Sequence, residues 1–216
     1  MKVPVTDIKK EVRVILDQNG ISGQLFAEDR DTLTLDEVIE QKIFDAIRYV
    51  LMNAPVYKIG SGKPFADIKV IWNRIKGIGS GYFLLPKDFL RLVSFQMSDW
   101  RVQVNTPITE DNPLYLRQKS MFRGVRGTPQ RPVVALVNHS AGLCMEFYSC
   151  TDGENTFVKT MRYIALPRIE EGECENYIEI PQDCYDAVKY YIAYLVATTF
   201  EMQSAAVLAE QYKLYM

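Results

Sequence analysis

The chain has 216 residues, 48% of them hydrophobic and 24% charged, with a formal net charge of −2. That length suits one large domain or two small ones, and the balance excludes disordered and collagen-like classes. With no run of five like charges it also lacks the basic surplus or stripe of a dedicated nucleic-acid binder.

The N-terminal Met1-Lys2-Val3-Pro4-Val5-Thr6-Asp7 has no apolar core of a signal peptide. A first helix is predicted where Ile8, Val12, Ile15 and Leu16 recur at helical spacing, with Val5 extending the face. Thr6 suits its N-cap, Asp7 its first turn and Asn19-Gly20 its stop. Residues 20–32 read as a polar loop ending in Asp29-Arg30-Asp31.

Thr34-Leu35-Asp36-Glu37 fits a capping box, and Leu33 with Val38 a hydrophobic staple. Val38, Ile39, Ile43, Ala46, Ile47, Val50 and Leu51 then form one broad stripe, ended by Pro55. The segment from Lys58 to Gly81 carries Gly60, Gly62, Gly77, Gly79 and Gly81. Gly77-Ile78-Gly79-Ser80-Gly81 lacks the Gly-Lys-Ser/Thr ending of a phosphate loop, and no long helix follows, so a flexible loop is expected.

The middle is strand-like. Strands are predicted at Tyr82–Leu85, Leu90–Phe95 and Arg101–Val104, with a turn at Pro86–Phe89. A short helix is expected from Asp111 to Ser120, capped by Asp111 or Asn112 with Pro113 in its first turn. Val133–Val137, Leu143–Tyr148 and Thr156–Leu166, with Asp152-Gly153 in the last turn, read as an antiparallel meander. Nothing alternates as βαβ, which argues against a parallel sheet.

A short strand, Tyr177–Ile180, meets Pro181 and becomes a long helix. Tyr185, Val188, Ile192, Leu195, Val196 and Thr199 form its stripe, and Tyr190, Tyr191 and Tyr194 widen it. A helix apolar on more than one face sits centrally in a bundle or faces a partner. Its uncharged run of 11 residues falls short of the roughly 20 that span a bilayer. A last helix runs from about Ser204 to Tyr215, and a soluble chain made in a cytosol is expected.

Catalytic signatures are sparse. His139 is the single histidine, in a turn without a nucleophile elbow. Cys144, Cys150, Cys174 and Cys184 form no C-x-x-C pair and read as reduced, partly buried thiols. His139 with Cys144 and Cys150 fits no common zinc spacing. The acidic pairs Asp29/Asp31, Glu110/Asp111 and Glu170/Glu171 sit among polar or turn residues and read as solvated charge. Asp152-Gly153-Glu154-Asn155 lacks the frame of a calcium loop. The locally basic segment is Arg117, Lys119, Arg123, Arg126 and Arg131, interspersed with Met121, Phe122, Gly124, Gly127 and Pro129. It would face phosphate backbone, an acidic patch on a partner, or solvent.

Several pieces, in order, match a known pattern. Leu84-Leu85-Pro86-Lys87-Asp88-Phe89-Leu90-Arg91-Leu92 resembles the "L-P-x-D-F-x-R-L" strand entry of podovirus-type head-to-tail adaptors, the tail tubular or neck ring proteins of tailed bacteriophages. Arg131-Pro132-Val133-Val134-Ala135-Leu136 followed by Cys144-Met145-Glu146-Phe147-Tyr148 is similar to that family's paired strands after a basic loop. Tyr163-Ile164-Ala165-Leu166-Pro167, then Ile178-Glu179-Ile180-Pro181 and Tyr185-Asp186-Ala187-Val188, resembles its passage into a C-terminal helical bundle. The helix from Asp36 to Met52 fits its N-terminal bundle helix, and the likeness runs from about residue 35 to the end.

The resemblance implies an α+β fold with N- and C-terminal helices packed as a bundle, with a central antiparallel β-region. The segments would be residues 1–56, 57–180 and 181–216. It implies a structural virion protein without catalytic site, cofactor or metal, located in the neck or tail and in the host bacterial cytoplasm during assembly. It would form a ring of about twelve copies, bind the portal protein and adjacent tail or neck rings, and let genomic DNA pass without sequence-specific binding. Gln211, Tyr212, Leu214, Tyr215 and Met216 are its portal-docking candidates; Arg117, Arg123, Arg126 and Arg131 are candidates for neighbour or DNA contact. Two other readings stand beside it: a small cytosolic enzyme with an unrecognised site, which needs His139 or a carboxylate pair in a pocket, or a carbohydrate- or protein-binding module displaying Trp72, Trp100 and Tyr82.

Overall fold

The computed structural model describes residues 1–18, 34–73, 79–122, 124–151, 155–172 and 175–216. These form a mixed α+β structure with five α-helices and three sheets. The chain divides into two compact units, Met1–Gly60 with Leu166–Met216, and Ser61–Ala165. The expected boundaries at 56/57 and 180/181 therefore move. The strands at residues 169–179 belong with the helices, because they pair with the N-terminal strand.

The first unit contains β1 (Lys2–Pro4), α1 (Val5–Gln18), α2 (Leu35–Asn53), β10 (Ile169–Glu171), β11 (Asn176–Glu179), α4 (Tyr185–Thr199) and α5 (Ala205–Tyr215). β1 was not anticipated. It pairs antiparallel with β11, Val3 opposite Ile178, giving the order β1-β11-β10. Helix α1 begins at Val5, so Thr6 lies inside the first turn rather than capping it. Its hydroxyl donates to Glu175 Oε1 at 3.4 Å instead. The stop at Asn19-Gly20, the loop bearing Asp29 and Asp31, and Leu33 lie outside the described residues.

The capping box forms: Glu37 Oε2 accepts from the Thr34 N–H at 2.7 Å and the Thr34 hydroxyl at 2.9 Å. These bonds lower the Glu37 carboxyl below its ordinary value, the backbone N–H being the larger cause. All seven stripe residues of α2 are buried. Helix α4 packs against α1, α2 and α5. A 3₁₀ turn over Gln182–Cys184 precedes it, so the helix starts four residues later than Pro181 suggested. Its buried residues are Ala187, Val188, Ile192, Ala193, Val196 and Ala197. Small alanines let neighbouring helices approach, whereas Thr199 of the expected stripe is exposed. Tyrosines close the other side of this unit. Tyr49 stacks on Tyr191 at 4.3 Å, with Tyr194 and Tyr212 edge-on or tilted around them.

The second unit holds β2 (Lys63–Pro64), β3 (Ile71–Trp72), β4 (Gly81–Leu84), β5 (Phe89–Met97), β6 (Ile108–Thr109), α3 (Pro113–Gln118), β7 (Val134–His139), β8 (Gly142–Phe147) and β9 (Val158–Ala165). One sheet has the order β2-β9-β5 and the other β3-β4-β8-β7-β6. β7 and β8 make the expected hairpin, but the meander stops there. β9 pairs with β5 and β2 in the other sheet. β6 runs parallel to β7, so this sheet is mixed rather than purely antiparallel. Residues 101–104 form no strand; Val104 makes one bridge to Phe95 and Val102 is exposed.

Alternation along the strands sends Phe83, Phe95, Met145 and Phe147 into an aromatic core with Leu92, Met161 and Trp100. Trp100 meets Phe95 edge-on and Trp72 meets Phe147 edge-on, so the two tryptophans and Tyr82 make no shared surface cluster. Gly77 lies outside the described residues, while Gly79 and Gly81 prove to be packing positions. A Cβ on Gly79, which has φ +58°, would sit 1.9 Å from the Cys150 carbonyl oxygen. One on Gly81 would meet the Phe147 ring at 2.8 Å.

Candidate functional site

The most distinctive surface starts at α3. The Asn112 side chain accepts from the Leu114 N–H at 2.9 Å and Pro113 opens the helix, which satisfies its first turn. Tyr115 and Gln118, three residues apart, face inward and are buried. Leu114, Leu116 and Arg117 face outward.

Two polar networks hold the helix from below. In the first, Glu146 on β8 gathers three side chains. Tyr115 donates its hydroxyl to Oε2 at 3.2 Å, Tyr148 donates to the same oxygen, and His139 Nε2 lies 3.0 Å from Oε1. Tyr82, opposite Glu146 in the register, places its ring 4.8 Å from the imidazole. Burial raises the Tyr148 hydroxyl well above its ordinary value, and the Glu146 hydrogen bond and charge add to it. Tyr115 is raised for the same reasons, burial first and the Glu146 charge next, while Lys119, 4.6 Å over its ring, opposes.

In the second network, buried Gln118 donates Nε2 to the Leu114 carbonyl at 3.0 Å and accepts the Gly127 N–H on Oε1 at 2.7 Å. Gly127 itself sits so close that a Cβ would lie 2.3 Å from Ser149 Oγ, which accepts from the Val133 N–H. A bridge between Thr128 and Arg131 closes the loop.

On this fixed base, the described residues of segment 114–125 expose apolar bulk. Leu116 is 73% exposed, Met121 70% and Phe122 77%, with Leu114 and Val125 beside them. Arg117, Lys119 and Arg131 are exposed around them. Large exposed apolar side chains interspersed in sequence with cations make this segment a candidate contact surface.

The basic segment thus separates. Arg117 and Arg131 face solvent. Arg126 is buried, 7% exposed, and cannot share an outward basic face. Arg123 lies outside the described residues. Of the five C-terminal residues, Leu214 is the one fully presented, at 82% exposed. Tyr215 stacks on Tyr190 at 5.0 Å, and its carbonyl accepts from Lys58 Nζ at 2.8 Å. Tyr212 is buried against Tyr49 and Tyr191, whereas Gln211 and Met216 are partly exposed.

His139 belongs to the Glu146 network. Cys144, Cys150 and Cys184 are free and buried, and burial raises all three thiols above the ordinary range. Cys174 and the Asp152-Gly153-Glu154 turn lie outside the described residues. No group of three or more His, Cys, Asp or Glu with metal-holding geometry occurs among the described residues. Glu110, Asp111, Glu170 and Glu171 are exposed. No described helix is long and apolar enough to cross a membrane.

Sequence reading missed the Glu146 network and the exposed apolar group. The signal for the first was a carboxylate inside the apolar run Leu143–Tyr148, with Cys144, Glu146 and Tyr148 on one face and Met145 and Phe147 on the other. Compared with known protein families and with curated proteins, the chain matches none.

Proposed function

We propose that this chain is a structural, ring-forming head-to-tail adaptor of a tailed-phage virion. It would join portal to tail and extend the DNA channel. The observation that carries the reading is the apolar and basic surface over residues 114–125, pre-organised by Gln118, Gly127 and the Glu146 network. A surface rigid before contact loses little entropy on docking, which suits a part that assembles rather than reacts. The strand-entry motif at Leu84–Leu92 adds the family likeness. We further infer that the terminal helices act as one bundle and that the β-region meets neighbouring subunits, with Leu214 and Tyr215 as the accessible part of a portal-docking end.

Native mass spectrometry of the chain, alone and with the portal encoded beside it, tests the reading. A ring of about twelve copies on the portal supports it. A monomer that ignores the portal rejects it.

The His139–Glu146 pair favours a second reading, a small enzyme in which Glu146 orients His139 as a base. A turnover lost in His139→Gln with assembly intact would support that alternative.

A further inference from the structure

The formal net charge of −2 conceals an unequal division. The sheet unit, Ser61–Ala165, holds 14 lysines and arginines against 8 aspartates and glutamates, a formal +6. The helical unit, Met1–Gly60 with Leu166–Met216, holds 11 against 19, a formal −8. Pairing differs in the same direction. In the helical unit Glu11, Asp36, Glu40 and Glu170 each face a lysine or arginine. In the sheet unit Asp88 is taken by Tyr163 and Lys63, Asp99 by the Thr151 N–H and Glu146 by its two tyrosines. Its exposed Lys69, Lys87, Arg101, Arg117, Arg131 and Lys159 make no ion pair among the described residues.

Three of those cations and Lys119 lie along one hydrogen-bonded course. Arg117 and Lys119 flank Gln118, whose Oε1 accepts the Gly127 N–H at 2.7 Å. The turn from Thr128 to Arg131 follows directly, and the Arg101 N–H donates to the Pro129 carbonyl inside it at 3.0 Å. Of the acids close in sequence, Asp99 is held by Thr151, and exposed Glu110 and Asp111 precede the first turn of α3, at its far end from Lys119.

We propose that the sheet unit binds the phosphate backbone of nucleic acid, without reading its sequence, through Arg101, Arg117, Lys119 and Arg131. A surplus spread over a whole unit exceeds what one carboxylate patch on a protein would neutralise. A backbone that repeats its charge along its length engages many separated cations at once, and each neutralised phosphate releases counterions. Three of the four side chains are arginines, whose planar fork matches phosphate oxygens. The helical unit, with its opposite surplus, takes no part. The contact goes beyond the adaptor reading, which asks of DNA only that it pass, and it needs no ring: the single chain makes it.

Fluorescence anisotropy of the full chain with a short DNA duplex, read as a function of salt, tests the proposal. One phosphate for each of these side chains predicts an affinity that falls about a hundredfold between roughly 50 and 200 mM salt, and equally for a duplex of different sequence. Arg101→Gln, Arg117→Gln, Lys119→Gln and Arg131→Gln together are expected to remove most of that salt dependence. Arg101→Lys with Arg117→Lys and Arg131→Lys is expected to keep it, which separates lost charge from lost folding. Lys10→Gln with Lys213→Gln, at exposed positions of the helical unit, is expected to change nothing. No duplex binding at low salt overturns the proposal, as does a full salt dependence in the fourfold glutamine variant. Binding of polyglutamate or of anionic vesicles without binding of the duplex assigns the cations to an acidic protein or lipid surface, and overturns it too. None of these outcomes bears on the mass measured with the portal, so the adaptor reading stands or falls separately.

Discussion

The two units fill their interiors differently. Described core positions of the helical unit are almost wholly aliphatic: Ile8, Val12 and Leu16 on α1, Ile39, Ile43 and Ile47 on α2, Val188, Ile192 and Val196 on α4. The sheet unit packs rings, with Phe83, Phe95, Phe147 and Trp100 in mutual contact. The buried polar and charged side chains among the described residues, Ser80, Ser94, Gln96, Gln118, Arg126, Ser149 and Thr156, all belong to the sheet unit. A helix satisfies its own backbone, so its core needs no polar help. Short strands and long loops leave backbone groups that side chains must satisfy. The polar residues that look least economical in the sheet unit are those that hold its loops in one shape.

This contrast is open to attack, largest effect first. Phe95→Ala removes a fully buried ring and is expected to cost about 3–5 kcal/mol, against about 2–5 kcal/mol for Ile192→Ala. Hydrogen exchange read by mass spectrometry is expected to lose protection in residues 61–165 for the first and in the helices for the second. Equal loss everywhere would make the division into units energetically empty.

Gly79→Ala places a methyl group into the Cys150 carbonyl and strains φ, so a loss of about 2 kcal/mol or more is expected. Gly60→Ala, with open space around it, should lose less, about 1 kcal/mol. Denaturant midpoints decide, and equal losses would remove the packing argument. Gln118→Ala leaves the Gly127 N–H and the Leu114 carbonyl without that partner, at about 1–3 kcal/mol. Increased protease cutting between residues 114 and 131 is its sharper readout.

The helical unit has its own titration. Tyr212 is raised from 10.0 to about 12, by burial first and then by its hydrogen bond with Tyr49. The folded state therefore favours the neutral phenol. Its stabilising contribution is complete below pH 10.0 and fades as pH climbs toward about 12. Urea midpoints are expected to fall over that window, and Tyr212→Phe to flatten the fall. A midpoint that rose with pH would contradict the sign. Smallest of all, Lys9→Ala removes an exposed pair with Glu40 and should change stability by about 0.5 kcal/mol or less.

The same physical difference explains what the sequence revealed. Helices announce themselves locally: the α2 stripe and its capping box occupy one short stretch, and all seven stripe positions are buried. Strand pairing is non-local. Nothing near Val158–Ala165 says that β9 leaves the β7–β8 hairpin to pair with β5, some seventy residues earlier in the chain by order of magnitude. β1 is three residues long, too short for any period to show. At the site, the basic residues were visible but their fates were not, because Arg126 is buried by the loop's tertiary course while Arg117 follows the face of a short helix. Met121 and Phe122 looked like ordinary interspersed apolar residues; only the folded chain shows that they stand exposed.

The helical unit is assembled from both sides of the sheet unit in the sequence. Glu11 on α1 accepts from Lys189 on α4 at 2.7 Å across 178 residues of chain. On a ribosome, Ser61–Ala165 emerges as one continuous stretch that can fold as it appears. Helices α1 and α2 are made first yet must wait for α4, with the stripe of α2 uncovered through most of synthesis. Chaperone demand during translation should therefore centre on α1 and α2 and end abruptly once α4 clears the exit tunnel.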